Sequence, residues 1–415
     1  MTEAVPGLVR LKTLFAFIRA HSRYTFVPMD LLTSLLSDTE LRHRLFPITK
    51  SRIFMAHAAV TVLPGPVAEA MSALIRRCSE EFRDFSETLA LIQRTRESAA
   101  RLINASSDEI ALLGPTSLGL SLVANGIAWA PGDEVVCYLD DYPANVYPWI
   151  NLRDKGVQIR FVEPAQVGEL TVEALQRVLT PKTKLVALAS CSFLSGFRID
   201  IQAIGKLLRE RGILFCLDAI QTLGAFPTTV EYVDFLSADA HKWLLGPLAI
   251  GVVYVRKELF EICRPSLLGA WNLKAPNFIA ENQIEFVEGA QRYEPGVLNL
   301  PGVAGMKAAI DFLLEIGIDK IAQRILSIRS RLTSGLTELG FALLGETNSP
   351  THQSGIITVA YPGRDISSEH KRLLENGIVC SPRQDRQGNQ YLRFSPHFYN
   401  NEDEIDRVLE VLKTA

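Results

Sequence analysis

The sequence predicts an α/β fold with two domains, a large one built on a mainly parallel sheet and a smaller α+β one. From about residue 111 to 255, short β-rich runs alternate with helical stretches, which is the rhythm of βαβ units. The runs are nearly continuous in Val, Ile and Leu, as in strands that are buried on both faces of a sheet. After about residue 307, longer amphipathic helices and short strands replace this rhythm. The predicted boundaries are residues 1–50 for a segment that packs on the small domain, 51–310 for the large domain and 311–415 for the small domain.

The individual elements follow from hydrophobic periodicity and from helix-end signals. The predicted strands of the large domain are Glu134–Leu139, Val157–Val162, Lys184–Ala189, Ile213–Leu217 and Ile250–Val255, with helices such as Glu169–Leu179 and Ile201–Arg211 between them. The small domain has predicted helices at Met306–Glu315 and Asp319–Gly340, strands at Gly355–Val359 and Tyr391–Phe394, and a last helix from about Asn401. The segment Leu8–Ile18 predicts an amphipathic helix, because cations interrupt its apolar run.

Composition restricts the class of protein. The chain has 415 residues, 47% of them hydrophobic and 21% charged, and a net charge of −3. These values are ordinary for a soluble globular enzyme, and the mixed charges argue against a nucleic-acid or polybasic membrane surface. No apolar run reaches the roughly 18–20 residues that span a bilayer. The six cysteines form no CxxC pair, so we predict reduced thiols, a cytoplasmic location and no metal site.

The stretch Ser237–Pro247 is the most informative part of the chain. It places Lys242 between a histidine and a tryptophan within an apolar segment. Lysine is nearly always exposed, and burial lowers its pKa, so that part of the amine stays neutral and nucleophilic. A lysine that reaches the surface with its ammonium is the alternative. The strand-like run Gly212–Gln221 shortly before it favours a functional role.

Three other features lie at predicted strand or helix ends. Asp218 ends a hydrophobic strand, where ligands bind in open α/β sheets, although it could instead cap the next helix. Thr116 and Ser117 precede a helical run, so backbone N–H groups and hydroxyls there could bind phosphate or merely cap the helix. Tyr142 follows another strand, where an aromatic ring can stack on a planar group.

Together these elements resemble the class V aminotransferase family of pyridoxal-phosphate enzymes, which has the cysteine desulfurase-like fold. The resemblance runs from about Phe54 to the C-terminus. The segments Tyr142–Trp149 and His241–Pro247 are similar to those of its isopenicillin-N-epimerase-like branch. It implies a fold type I transferase with a seven-stranded sheet, a homodimer and an amino-acid substrate.

The resemblance also implies roles for particular residues. Lys242 would form the Schiff base with pyridoxal phosphate, Asp218 would pair with the pyridine nitrogen, and Gln221 would contact the ring oxygen. Tyr142 would stack on the ring, and Thr116, Ser117 and His241 would bind the phosphate. In the family's closing motif, similar to Tyr391–Asn400 here, the arginine binds the substrate carboxylate, so Arg393 takes that role. His57 is a possible substrate contact or a structural histidine.

The reaction is less well defined by the sequence. The leading hypothesis is a C–S lyase or epimerase that acts at Cα or Cβ of an amino acid. The alternatives are a true aminotransferase, or a cysteine desulfurase or selenocysteine lyase that uses Cys380. Because Cys380 falls inside an apparent strand, a buried core thiol is the favoured interpretation. Two departures from the family pattern are Phe193, where a polar residue is common, and Val297, where a threonine commonly reaches the partner's phosphate.

Overall fold

The computed structural model describes residues 30–413 except 83 and 348, so the predicted helix Leu8–Ile18 lies outside the described residues. Its helices are α1 Leu31–Ser37, α2 Thr39–Leu45, α3 Gly65–Glu80, α4 Phe85–Ile103, α5 Thr116–Gly126, α6 Tyr147–Ile150, α7 Val172–Gln176, α8 Ile201–Glu210, α9 Leu300–Ile316, α10 Ile318–Glu338, α11 Ile366–Glu375 and α12 Glu402–Lys413. Its strands are β1 Ile53–Phe54, β2 Ile110–Leu112, β3 Glu134–Cys137, β4 Gln158–Phe161, β5 Thr183–Ala189, β6 Leu214–Asp218, β7 Phe235–Asp239, β8 Gly251–Val255, β9 Ala342–Leu343, β10 Ile357–Ala360, β11 Ile378–Val379, β12 Ser381–Gln384 and β13 Gln390–Phe394.

The large sheet has seven strands in the order β2-β8-β7-β6-β5-β3-β4. Strands β3 to β7 pair in parallel, while β8 runs antiparallel to both of its neighbours. The predicted α/β fold with a mainly parallel seven-stranded sheet is therefore confirmed. Two of its strands escaped prediction, since β2 has only three residues and β7 carries a serine and an aspartate.

Both faces of this sheet are covered by apolar side chains. Neighbouring residues of one strand alternate between two core clusters, as the pleat requires. Val136 contributes to one cluster and Val135 to the other. Helix α9 packs on the first face with Val303 and Ile310. Because both faces are buried, the charged side chains of the sheet lie on its edge strand β4 or near strand ends.

The second sheet is antiparallel, with the order β12-β13-β10-β9, and it forms a separate core with α10, α11 and α12. Strand β1 pairs in parallel with β11 in a separate two-stranded sheet, so the chain pairs with this C-terminal part before it enters the large sheet. Phe46 stacks on Tyr399 with ring centroids 3.8 Å apart, and Arg42 pairs with buried Glu404. These contacts agree with a segment before residue 50 that packs on the C-terminal part, while the domain boundaries themselves stay a prediction.

The topology brings several loops to one edge of the large sheet. The carboxyl ends of β3, β6 and β7 lie at the same edge because these strands are parallel. Strand β2 is antiparallel to β8, which is antiparallel to β7, so the N-terminus of α5 after β2 lies at this edge too. Over the described part of the chain, no helix has the length and apolarity needed to cross a membrane.

Candidate active site

Lys242 lies in the loop after β7, with only 7% of its surface exposed. Burial, together with the charges of Arg393 and Arg383, lowers the pKa of its ammonium to about 8, although the charge of Asp218 acts in the opposite direction. Its Nζ lies 5.3 Å from the centroid of the Tyr142 ring. The lysine is thus buried and partly neutral near physiological pH, as a nucleophilic amine requires.

The residue after Lys242 fixes the backbone of this loop. Trp243 is fully buried, and its indole Nε1 donates to Oε1 of Gln221 over 2.9 Å. Its carbonyl oxygen lies 3.1 Å from Nε2 of buried His397. The tryptophan that accompanies Lys242 in the sequence therefore anchors the lysine to the loop that carries Gln221.

Asp218 ends β6 with 2% of its surface exposed. Its Oδ1 accepts from the backbone N–H of Ile220 over 3.0 Å. Burial raises the pKa of the carboxyl to about 6, although the N–H of Ile220 and the charge of Lys242 oppose this rise. Gln221 also lies at this point, and its Nε2 donates to the carbonyl of Ala58 over 3.2 Å, which uses one of its two amide hydrogens.

Tyr142 projects over the site from the segment after β3, half exposed. Its ring meets Phe193 edge-on, with centroids 5.6 Å apart.

The preceding Asp141 is a buried carboxylate that sequence reasoning missed. Its oxygens accept from the N–H of Tyr142 over 2.7 Å and from Nδ2 of Asn145 over 3.0 Å. Burial, together with the charge of Asp218, raises the pKa of Asp141 to about 7. Its position just after a predicted strand was the available signal.

The N-terminus of α5 meets the end of β7. Thr116 and Ser117 are the first two residues of this helix, which has no side-chain cap. The Thr116 hydroxyl instead accepts from the backbone N–H of Asp239 over 2.9 Å. Nδ1 of His241 lies 2.5 Å from Oδ1 of Asp239. The three predicted phosphate contacts therefore converge on one place, together with Asp239, which was missed because β7 was not predicted.

Arg393 on β13 is the largest buried cation of the site, with 1% of its surface exposed. One terminal nitrogen donates to the carbonyl of Phe193 over 2.6 Å. Nε and the other terminal nitrogen are buried with no hydrogen-bond partner among the described residues. Burial, together with the charge of neighbouring Arg383, lowers the pKa of the guanidinium to about 9. Two empty donors on a fixed guanidinium suit a carboxylate.

The sequence left His57 as either a substrate contact or a structural histidine, and its surroundings favour the structural role. The ring is fully buried, with Nδ1 2.8 Å from the carbonyl of Ser395 and Nε2 2.9 Å from the hydroxyl of Tyr399. Nδ1 must donate to the carbonyl, so neutral Nε2 accepts from the hydroxyl. Burial keeps this ring neutral by lowering its pKa to about 4. Both nitrogens are thus satisfied internally, and His57 has the structural role.

Two residues that the sequence linked to the reaction or to the partner's phosphate, Cys380 and Val297, lie outside this set of contacts. Cys380 is 5% exposed and belongs to the core of the four-stranded sheet, and burial raises the pKa of its thiol to about 12. The favoured interpretation as a core thiol is confirmed. Val297 is 67% exposed on a segment outside the helices and strands.

Comparison with known proteins decides the family. The family model described as aminotransferase class V matches residues 53–408. The chain belongs to the class V aminotransferase family. A probable cysteine desulfurase of Pyrococcus abyssi is 31% identical over 88% of this chain and 95% of its own length. An uncharacterized aminotransferase of Bacillus subtilis is 27% identical over 89% of this chain and 96% of its own length.

Solved structures agree with this assignment. The apo structure of a cysteine desulfurase from Thermococcus onnurineus superposes with a TM-score of 0.83 at 26% identity, over 91% of this chain and 97% of that one. A complex of the cystine C–S lyase C-DES gives a TM-score of 0.81 at 22% identity, over 89% of this chain and 99% of that one, which supports the fold alone. The class V relatives are thus desulfurase-like.

Pyridoxal phosphate is the cofactor of this family, which confirms the prediction of that cofactor. The residues fit it. The site at the sheet edge contains three kinds of group. They are a buried, partly neutral lysine, a buried carboxylate on whose pKa the charge of Lys242 acts, and a helix N-terminus with hydroxyls and an imidazole. An aldehyde, a ring nitrogen and a phosphate need these three kinds of partner.

Proposed function

We propose that the chain is a pyridoxal-phosphate enzyme of the desulfurase type, which cleaves the Cβ–S bond of a cysteine-like amino acid. The observation that carries the proposal is the pairing of Lys242 with Arg393 in one buried site of a chain whose relatives are named cysteine desulfurases. These relatives favour the desulfurase alternative over the C–S lyase or epimerase that led the sequence-based hypotheses.

Arg393 would bind the α-carboxylate of the substrate through its two unpartnered nitrogens. The hydrogen bond from Arg393 to the carbonyl of Phe193 fixes the direction of the guanidinium. A bound amino acid would therefore be oriented with its Cα towards Lys242. The amine of Lys242, with a pKa of about 8, is suited to take the Cα proton and to return it.

The remaining residues would hold the cofactor. Asp218 would pair with the ring nitrogen, Tyr142 would cover the ring, and Gln221 would offer its second amide hydrogen to the ring oxygen. Thr116, Ser117 and His241 would bind the phosphate. When bound, the cofactor supplies an electron sink for negative charge at Cα.

The position of Cys380 indicates how the sulfur leaves. A thiol with a pKa of about 12 in a closed core is a poor nucleophile, because the thiolate is the reactive form. The turn between β12 and β13 contains no cysteine. We therefore propose an external thiol as the acceptor. Its sulfur bonds to the substrate sulfur as the Cβ–S bond breaks, and the carbon keeps the electron pair and takes a proton. Cysteine and RSH would thus give alanine and RSSH.

Product analysis tests this proposal. Purified protein would be incubated with cofactor, L-cysteine and dithiothreitol, and alanine, pyruvate and sulfide would be measured. We expect alanine and sulfide in equal amounts. Pyruvate with ammonia would instead identify a C–S lyase, and a keto acid with the aminated cofactor would identify an aminotransferase. Formation of D-cysteine alone would identify an epimerase. Each of these outcomes would reject desulfurase activity.

We also propose that the protein is a homodimer. The segment between β8 and α9 exposes several large apolar side chains that a monomer would leave in water: Ile262, Leu267, Leu268, Phe278, Ile279, Ile284 and Val297. Exposed large apolar side chains, where they form one surface, mark protein–protein contacts. A second copy of this chain is the occupant that the family implies.

A further inference from the structure

Asp239 is a buried carboxylate that no predicted role accounts for. It ends β7 with 2% of its surface exposed. Its Oδ1 accepts from the backbone N–H of His241 over 3.2 Å and lies 2.5 Å from the ring nitrogen Nδ1. Its Oδ2 is buried and has no hydrogen-bond partner among the described residues. A Cβ added to Gly114 would lie 2.7 Å from this oxygen, so the oxygen without a partner faces the turn that precedes α5.

This location is where the cofactor phosphate is expected. The N-terminus of α5 favours an anion, but a second anion beside the Asp239 carboxylate is repelled. Two negative groups can share the site only if a proton is held between them. A buried carboxylate oxygen without a donor is itself costly. We therefore expect the unpartnered oxygen of Asp239 to have a function at this place.

His241 is the group that can hold this proton. A carboxylate only accepts hydrogen bonds, so Nδ1 of the ring must carry a hydrogen towards Asp239. The remaining nitrogen, Nε2, has no hydrogen-bond partner in the described part of the chain, and 17% of the side chain is exposed. In the neutral ring, Nε2 would present a lone pair to the phosphate. Only the imidazolium presents an N–H there, and the Asp239 carboxylate accepts the hydrogen of its other nitrogen.

We propose that Asp239 is a positioning residue for the cofactor phosphate. It holds the His241 ring with the Nδ1 hydrogen towards its own carboxylate, so that Nε2 gains a proton and becomes a donor when the phosphate binds, and phosphate binding takes up one proton. The proposal rests on the proposed use of pyridoxal phosphate and extends it. In metal sites, a carboxylate often orients a histidine ligand in this way, and loss of the carboxylate commonly lowers the affinity for the metal 10- to 100-fold.

Other charged groups that face Asp239 must be separated from this effect. Lys242 is close enough for the charge of Asp239 to act on its pKa, and Asp218 acts on the same lysine. The first turn of α5 contains neither an acid nor a base, and β8 places Gly251 opposite Asp239. Lys242, with a pKa of about 8, and Asp141, with a pKa of about 7, are thus the other groups of the site whose protonation would alter cofactor binding, and both act equally on a cofactor without a phosphate.

Pyridoxal, which lacks the phosphate, isolates the contribution of Lys242. The dissociation constants of pyridoxal phosphate and pyridoxal would be measured spectroscopically between pH 7 and 9, where the free phosphate is a dianion because its second pKa is about 6. The ratio of the two constants reports the phosphate site alone. For the wild type, we expect the phosphate's advantage to fall as pH rises, by up to about ten-fold per pH unit for one proton.

Asp239→Asn keeps the acceptor for Nδ1 and removes the charge. We expect it to weaken pyridoxal phosphate binding about 10-fold or more at pH 7.5, to flatten the pH dependence, and to leave pyridoxal binding unchanged. Asp365→Asn, the same change at a remote helix cap, is the matched control and should alter neither ligand.

Calorimetry in two buffers of different ionisation enthalpy provides an independent proton count. We expect the wild type to take up about one proton more with pyridoxal phosphate than with pyridoxal, and Asp239→Asn to lose this difference. A ratio that does not change with pH, or an Asp239→Asn variant that matches the wild type, would overturn the role of Asp239 alone. A wild type that binds neither ligand would overturn the proposed function and this inference with it.

Discussion

The reactivity of Lys242 in the cofactor-free protein follows directly from its burial. Its pKa of about 8, against the ordinary value of 10.5, leaves about half of the amine neutral at pH 8. An exposed lysine would be about 0.3% neutral at that pH, so Lys242 gains over 100-fold in the fraction of reactive amine. Its reaction with formaldehyde and cyanoborohydride should therefore show a midpoint near pH 8, measured peptide by peptide with mass spectrometry. Exposed Lys371 serves as the internal control.

Two substitutions should move this midpoint in opposite directions. Asp218→Asn removes a charge that raises the pKa of Lys242, so the midpoint should move to lower pH. Arg393→Gln removes a charge that lowers this pKa, so the midpoint should move to higher pH. The reasoning is refuted if Lys242 titrates together with Lys371, or if both variants shift the midpoint in the same direction.

Three further predictions concern the substrate, the sulfur and the assembly. Arg393→Gln should weaken binding of the amino acid about 100-fold, because a buried carboxylate loses its charged partner; cysteine methyl ester, titrated in parallel, should lose little, and an equal loss would reject the carboxylate role. Cys380→Ala should leave sulfide production within about two-fold of the wild type and cost about 1–2 kcal/mol of unfolding free energy in urea; abolished turnover in a folded variant would restore Cys380 as the acceptor. Ile279→Asp should lower the dimer fraction in sedimentation velocity, and a monomeric wild type would contradict the proposed homodimer.

The sequence predicted the parts of the fold that rest on strong hydrophobic patterns. The five strands rich in Val, Ile and Leu and helix α10 were found within a few residues of their observed ends, whereas α9 begins six residues before its predicted start and α3 and α4 were not predicted. Strand β7 was missed because Ser237 and Asp239 interrupt its apolar pattern. The Ser237 hydroxyl is satisfied through a tertiary contact, in which it donates to the carbonyl of Thr116. A single-sequence pattern cannot show such contacts.

The candidate site divides in the same way. Lys242 and Asp218 were identifiable because each stands out against an apolar neighbourhood in the sequence. The roles of Asp141 and Asp239 depend on neighbours that the fold supplies, such as Asp218 for the former and α5 for the latter. His57 was ambiguous for the same reason, since its partners Ser395 and Tyr399 lie over 300 residues away along the chain.

The central claim is that Lys242 binds the aldehyde of pyridoxal phosphate. Borohydride reduction of the purified protein with bound cofactor, followed by peptide mass spectrometry, tests it most directly. We predict one phosphopyridoxyl group, attached to the peptide that contains Lys242, and no incorporation in Lys242→Ala. A label on a different lysine, or a protein that retains no cofactor after reduction, would contradict the account.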